Sequence, residues 1–444
     1  MISAKPYGPE LSSIRDVSRV RHSGSALARL IVRTRFGRFR ELTSAMNVRL
    51  NQAQVPSGAA RRAATVALWL LAQLTVSAHA GPNEQAKRIY ERVAGEPPPA
   101  SALTQMSAAI TATPGQQGLL NAAAIATGAP SFYNVTLKNL VVPWTNRDQT
   151  VFAPLNDYAA TVIGMTRDDV AFNTALSDDI LYTVNAPGLP APSSANNDHY
   201  ATAEANGVDL SAALKRTTQS GAYGTPAQAT AGLITTRGAA SAFFINGTNR
   251  AMFRFTMINH LCHDMETVMD ITRPADRIRQ DVARSPGGDS RVFLNTCVGC
   301  HSGMDPMAQA FAYYNFDATA GQLLYTPNQV QPKYLINAAN FPFGFVTPDD
   351  SWANRWRAGS NAFLGWDPTL PGSGNGAKSL GQELASSDAF AQCQVTKIFQ
   401  AVCFRAPASA ADQATVATIK ASFKSGGYRL KQVFQLSAAA CPGQ

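Results

Sequence analysis

Five consecutive residues, Cys297-Val298-Gly299-Cys300-His301, bring two thiols and an imidazole together at C-x-x-C-H spacing. Each thiol can add to one vinyl group of a porphyrin, and the adjacent imidazole then sits under the iron as proximal ligand. Cys297 and Cys300 are therefore read as the covalent attachment points of one haem c, and His301 as the proximal iron ligand. Three other chemistries use part of this pattern. A zinc site needs a second C-x-x-C or an H-x(3–5)-H, a thioredoxin-like dithiol needs a βαβ setting, and a structural disulfide needs only the two cysteines. His260 and Cys262-His263 form the other soft-ligand cluster, and they reproduce neither zinc pattern.

A sixth ligand for such an iron has to be sought upstream, because no methionine follows Met307 and no histidine follows His301. Met304 and Met307 are so close to His301 that packing is their expected role. The stretch 250–269, read as one long helix, offers Met252, Met257, His260, His263, Met265 and Met269. Of these, His260, His263 and Met257 are the distal ligand candidates. His260 and His263, three apart, would share a helix face. His199 is a further candidate. Arg279, Arg284 and Arg291 precede the motif and are of a type that suits haem propionates; the alternative for each is a solvated surface charge.

The start of the chain reads as a secretory leader. Arg61-Arg62 precede an apolar run over 63–77, and Ala78-His79-Ala80 offers a small-x-small cleavage site. The run is shorter than the roughly 20 apolar residues of a membrane span and is broken by Gln73; an uncleaved anchor is the alternative. Residues 1–45 carry many arginines and no apolar block, so 1–80 is read as leader, with a possible upstream mis-start over 1–45 and a signal peptide over about 46–80, beginning at Met46. No cysteine follows the run before Cys262, which argues against a lipid-modified cysteine. The leader also explains the charge. The chain is formally +9, and residues 1–80 hold 12 Lys+Arg against 3 Asp+Glu, so the remaining 364 residues are neutral. A basic nucleic-acid or membrane-binding surface is not implied once the leader is set aside.

With two cysteines assigned to haem, Cys262, Cys393, Cys403 and Cys441 form an even set that an oxidising compartment would pair. Cys393 and Cys403 lie ten residues apart on one apparent helix, about 15 Å at 1.5 Å per residue, too far for a mutual bridge. If 379–404, 410–425 and 428–440 form an up-down-up unit, the first and third helices are parallel. Cys403 then falls near Cys441, which leaves Cys262 for Cys393. Buried free thiols are the alternative.

The expected fold class is mainly α: a helical haem c region over 226–345, flanked by a helical N-terminal region over 81–225 and a C-terminal helical region over 346–444, with at most one small hairpin. Helical spacing covers 83–96 and 101–127 on either side of Pro97-Pro98-Pro99, then 132–142, 168–177, 199–217 and 250–269. Ile180–Val184 is β-prone and 185–198 reads as a loop. Asp305-Pro306 is expected to open a helix carrying Phe311, Tyr313, Tyr314 and Phe316, and 323–325 to pair with 334–336. Residues 371–376 read as a glycine-rich link; the phosphate-loop spacing is wrong there, and no G-x-S-x-G or H-E-x-x-H occurs.

Several segments resemble the secreted, helical cytochrome-like proteins first noticed in planctomycetes, which consist of domains of unknown function around one C-x-x-C-H. Cys297 to Pro306 is similar to that family's CxxCHxx(I/M)DP signature, and the segment ending Asn315-Phe316-Asp317 is similar to the stretch downstream of that signature. Residues 231–236, 83–97, 391–397 and 427–430 resemble its other segments. The chain departs in a shorter N-terminal part and in extra cysteines. The resemblance implies covalent haem, export and a helical fold, and implies no substrate.

The expected function is that of an exported monohaem c-type cytochrome, transferring electrons in the periplasm or outside a bacterial cell, to and from a redox partner protein or a small-molecule donor or acceptor. No nucleic-acid partner and no membrane span in the mature chain are expected. The alternatives are a haem enzyme with an open distal site, peroxidase- or oxygenase-like, with His260 or His263 as base and Arg254 nearby, and a binding module that haem merely stabilises.

Overall fold

The helix that opens the fold, α1 (Pro82–Ala94), has proline in its first turn, where the missing N–H costs nothing, and ends at Gly95. Ala86, Ile89, Tyr90 and Val93 recur at helical spacing and are buried. The computed structural model describes residues 80–245 and 247–442. The expected leader, its Met46 start and all of the cleavage site except Ala80 lie outside the described residues.

After the proline turn, the helix expected over 101–127 is two helices, α2 (Ala100–Ala112) and α3 (Gln116–Ala126). Pro114 and Gly115 break it, and Gly115 has a φ of 89° that favours glycine. A short helical stretch then covers 132–145, as the spacing implied. The next helix is displaced from expectation: α4 is Asp157–Arg167, and 168–177 holds only a 3-10 turn. Asn156 caps α4 by accepting the Ala159 N–H. Every residue from 157 to 166 is buried, so α4 has no polar face to mark its period.

Strand β1 (Leu181–Val184) lies where the β-prone run predicts. Its antiparallel partner is β2 (Leu214–Thr217), inside the stretch expected to be helical, where α5 covers only Asp198–Ala205. Next come α6 (Arg237–Phe243) and α7 (Arg250–Thr256), the latter continuing into a π turn over Met257–Leu261. The long helix expected over 250–269 stops there, because Cys262 adopts a left-handed conformation with φ 60°.

Helix α8 (Val298–Ala308) is entered through a π turn over Phe293–Cys297. Pro306 lies within α8 rather than at its start, and the helix tightens to a 3-10 turn at Gln309–Phe311. The aromatic segment beyond is not helical: β3 (Tyr314–Asp317) forms a hairpin with β4 (Gln322–Tyr325). Tyr334, the expected strand partner, sits in a 3-10 turn and donates its hydroxyl to the Ala308 carbonyl at 3.0 Å. Strands β5 (Ser351–Ala353) and β6 (Ser373–Asn375) pair across 20 residues, so the glycine-rich link is partly a strand.

The C-terminal region is helical: α9 (Gly376–Ala385), α10 (Asp388–Cys403), α11 (Ala410–Ser425) and α12 (Leu430–Ala440). Ser387 and Ser409 cap α10 and α11. Helix α10 packs on both α11 and α12. Cys403 is disulfide-bonded to Cys441, with a Cα–Cα distance of 5.7 Å, and Cys262 to Cys393, at 5.3 Å. Both pairings are those expected from the helix order. The fold is mainly α, and one hydrophobic cluster runs from Ala86 to Cys441 through all three regions. Among the described residues, no helix is long and apolar enough to cross a membrane.

Candidate functional site

The turn from the π segment into α8 sets out the motif. Cys297 closes the π turn and packs beside Ile278, Val282, Phe293 and Val298. Cys300 lies one turn on, its sulfur 3.6 Å from the Met265 carbonyl oxygen. Both are half-buried thiols, while the other four cysteines are bonded in pairs. Burial first, and Cys297 second, push the Cys300 thiol pKa up.

The segment after α7 holds this helix from the side. The Asp270 N–H donates to the Gly299 carbonyl at 3.0 Å, and the Ser302 hydroxyl to the Asp270 carbonyl at 3.1 Å. Met269 and Ile271 lie within 3.3 Å of where a side chain on Gly299 would begin, so any larger residue would push them off. On the other side, a Cβ at Gly303 would fall 1.9 Å from the buried Trp356 indole nitrogen. Ile271 and Leu294, 56% and 57% exposed, leave an apolar rim beside the motif that a flat apolar group would cover.

His301 carries a polar partner of its own. Its Nδ1–H donates to Asp305 Oδ1 at 3.1 Å, and its Nε2 has no hydrogen-bond partner among the described residues. Asp305 is buried and accepts two bonds from Arg250, at 2.7 and 2.9 Å. Arg250 also donates twice to Asp281, and Arg279 stands 3.7 Å from Asp305. Burial alone would raise the Asp305 pKa, but Arg250, then Arg279 and His301, hold it well below the ordinary carboxylate range.

Beside Cys300 opens a cavity of about 740 Å³, walled by Arg147, Arg250, Arg254, Met265, Met269 and Met304 among others. The distal candidates His260, His263 and Met257 are not among its lining residues. Met257 is fully buried. His260 shares a hydrogen bond of 2.7 Å between its Nε2 and the Tyr158 hydroxyl and is ringed by Trp144, Phe172 and Phe390, next to a void of only about 10 Å³. Burial, then Lys397, lowers its pKa to about 3. His263 stands edge-on to Phe363 and 3.3 Å from the Thr267 hydroxyl. The expected common face of His260 and His263 is lost because the chain turns at Cys262 between them. His199 is used structurally, accepting the Val184 N–H and donating to the Pro190 carbonyl.

None of the three arginines weighed for the propionates lines the cavity beside Cys300. Arg279 is buried under Tyr334, Arg284 lies over Phe293 and Phe341, and exposed Arg291 pairs with Asp289. Those that reach the cavity are Arg147, Arg250 and Arg254. The last is paired with Asp264, whereas Arg147 donates to the Ala242 and Ile245 carbonyls. Arg250 and Arg254 stand four apart on the stretch already singled out for ligands; nothing in the sequence marks Arg147.

Among the described residues, no three His, Cys, Asp or Glu side chains converge as a metal site. The donor set on α8 nevertheless fits a covalent haem: two unpaired thiols, and an imidazole whose Nδ1 is engaged while Nε2 is not. Comparison of the chain with known protein families, with curated proteins and with solved structures finds no match.

Proposed function

We propose that this chain is an exported monohaem c-type cytochrome whose role is electron transfer. The observation that carries the reading is the sorting of the cysteines. Four are locked in two disulfides, which suits an oxidising compartment, while Cys297 and Cys300 stay as thiols next to His301, and Cys300 lines a large cavity. The likeness to planctomycete cytochrome-like proteins is in keeping with it.

In this reading Cys297 and Cys300 hold the haem through two thioether bonds, and His301 offers Nε2 to the iron. A haem held there would supply a one-electron ferric/ferrous couple suited to exchange with a redox partner protein or a small-molecule donor or acceptor. Met265, Met269 and Met304 wall the cavity with polarisable apolar groups, and of its arginines Arg147 is the one without a carboxylate partner among the described residues that could meet a propionate, since Arg250 and Arg254 are paired with acidic side chains. The enzyme alternative finds less support: the histidines considered as its base do not line this cavity, and Arg254 is already paired with Asp264.

The test is direct. Exported protein, denatured and run on a gel stained for haem peroxidase activity, should keep its haem, and Cys297→Ala/Cys300→Ala should lose it. Haem removed from the wild type by acid acetone would sink the covalent reading. A visible spectrum that carbon monoxide alters without denaturant would favour the open-site enzyme instead.

A further inference from the structure

We infer that Asp305 is a positioning residue for the iron-binding imidazole, accepting the His301 Nδ1–H so that the ring is held with Nε2 free for the iron and strengthened as a donor. The inference rests on the haem reading above.

Its sequence origin is a spacing of four residues, which puts both side chains on one face of α8. The carboxylate is fixed from the opposite side as well. Arg250 grips it with a two-pronged fork, Nε to Oδ1 at 2.7 Å and Nη2 to Oδ2 at 2.9 Å. Arg250 is in turn gripped by Asp281. Arg279 approaches Oδ1 to 3.7 Å while bonded to the Thr248 hydroxyl and lying over the Tyr334 ring. Oδ1 is thus the oxygen that faces both the guanidinium groups and His301.

Packing alone does not account for this arrangement. The Asp305 side chain is fully buried, and a buried ion cluster gives up hydration that an apolar residue of the same size would not. What the cluster supplies is an ionised acceptor in one fixed place. A carboxylate on the imidazole N–H makes the ring a stronger donor and favours ferric iron; Arg250 and Arg279 moderate that charge. The reduction potential is therefore the quantity that Asp305 controls.

The experiment compares Asp305→Asn with Asp281→Asn in the exported holoprotein, by mediated redox titration with dithionite as the electron source. Both variants remove one carboxylate bound to Arg250, but only Asp305 touches His301. Asp305→Asn is expected to favour ferrous iron by roughly tenfold or more, about 59 mV per tenfold for one electron, and Asp281→Asn by clearly less. Equal shifts, or no shift in Asp305→Asn, overturn the inference. Where Asp305→Asn does not accumulate with haem, nitrogen-15 histidine labelling of the ferrous wild type decides. A slowly exchanging His301 ring N–H supports the hydrogen bond to a buried carboxylate, and rapid exchange overturns it. A wild type without covalent haem overturns the haem reading and this inference together. A loaded wild type with an unshifted Asp305→Asn overturns the inference alone.

Discussion

Cys262 is bonded to Cys393 across 131 residues of sequence, tying the end of the π turn after α7 to the second turn of α10. The bond holds the chain where it leaves helical geometry and turns toward the motif. Cys403 and Cys441 close a shorter loop of 38. A crosslink restricts the unfolded chain more as its loop lengthens. Cys262→Ser/Cys393→Ser is therefore expected to lower unfolding free energy by about 2–5 kcal/mol, and by about 1 kcal/mol more than Cys403→Ser/Cys441→Ser. Urea unfolding of the two variants reads both numbers. Non-reducing peptide maps that join Cys262 to Cys403 or Cys441 would contradict the premise.

Gly303 sits against Trp356 so closely that a methyl group there would overlap the indole. The indole is fully buried and packs on Phe253 at 5.9 Å, so it has little room to retreat. Gly303→Ala is expected to destabilise by about 1–3 kcal/mol through overpacking, although alanine normally favours a helix. Adding Trp356→Leu should recover part of the Gly303→Ala cost, because residues in contact are coupled. Strict additivity in thermal unfolding of the double variant would show that the clash is relieved elsewhere.

The sequence disclosed some of this arrangement and concealed the rest for identifiable reasons. Both disulfides and the helices over 410–425 and 428–440 were legible, since the punctuated apolar spacing and the ten-residue gap between Cys393 and Cys403 constrain the answer, whereas the single helix expected over 379–404 is two, α9 and α10, with Ser387 capping the second. Helix α4 was not, because a helix buried on all sides shows no amphipathic period. The 250–269 stretch misled in the opposite way: its apolar residues continue past Leu261, but the backbone at Cys262 turns left-handed. That turn moves His260 into the core and brings Met265 and Met269 to the cavity. Asp305 stood at a legible spacing from His301; its two arginine partners come from distant segments and had no sequence signal.

His260 gives a pH prediction. Its imidazole is buried and neutral, with its pKa lowered to about 3 by burial, and then by Lys397. In the unfolded chain the pKa is about 6.5. Below that value the unfolded state takes up a proton that the folded state does not, so this group's contribution to stability is lost as pH falls from about 6.5 toward 3. The slope is about 1.4 kcal/mol per pH unit for one proton. Nuclear magnetic resonance should show a His260 ring that does not titrate between pH 5 and 8, and His260→Gln should remove one proton from the pH dependence of unfolding. A His260 midpoint near 6.5 in the folded protein would refute the assignment.

The sixth iron ligand is the last expectation. Among the groups weighed for it, Met265 and Met269 line the cavity that Cys300 also lines, whereas His260, His263 and Met257 do not. The 265–270 segment is held to α8 by the Asp270 N–H on the Gly299 carbonyl, and to the 3-10 turn over Ser360–Leu364 by Asn361 on the Val268 carbonyl at 2.8 Å. A thioether carried there is pre-positioned rather than recruited. Wild-type holoprotein should therefore resist carbon monoxide, and either Met265→Ala or Met269→Ala should admit it with a change in the ferrous spectrum. Met257→Ala and His263→Ala should not. Carbon monoxide binding to the wild type, or its exclusion from both methionine variants, would remove this segment from the iron and return the choice to a distal side without a protein ligand or with one from elsewhere in the chain.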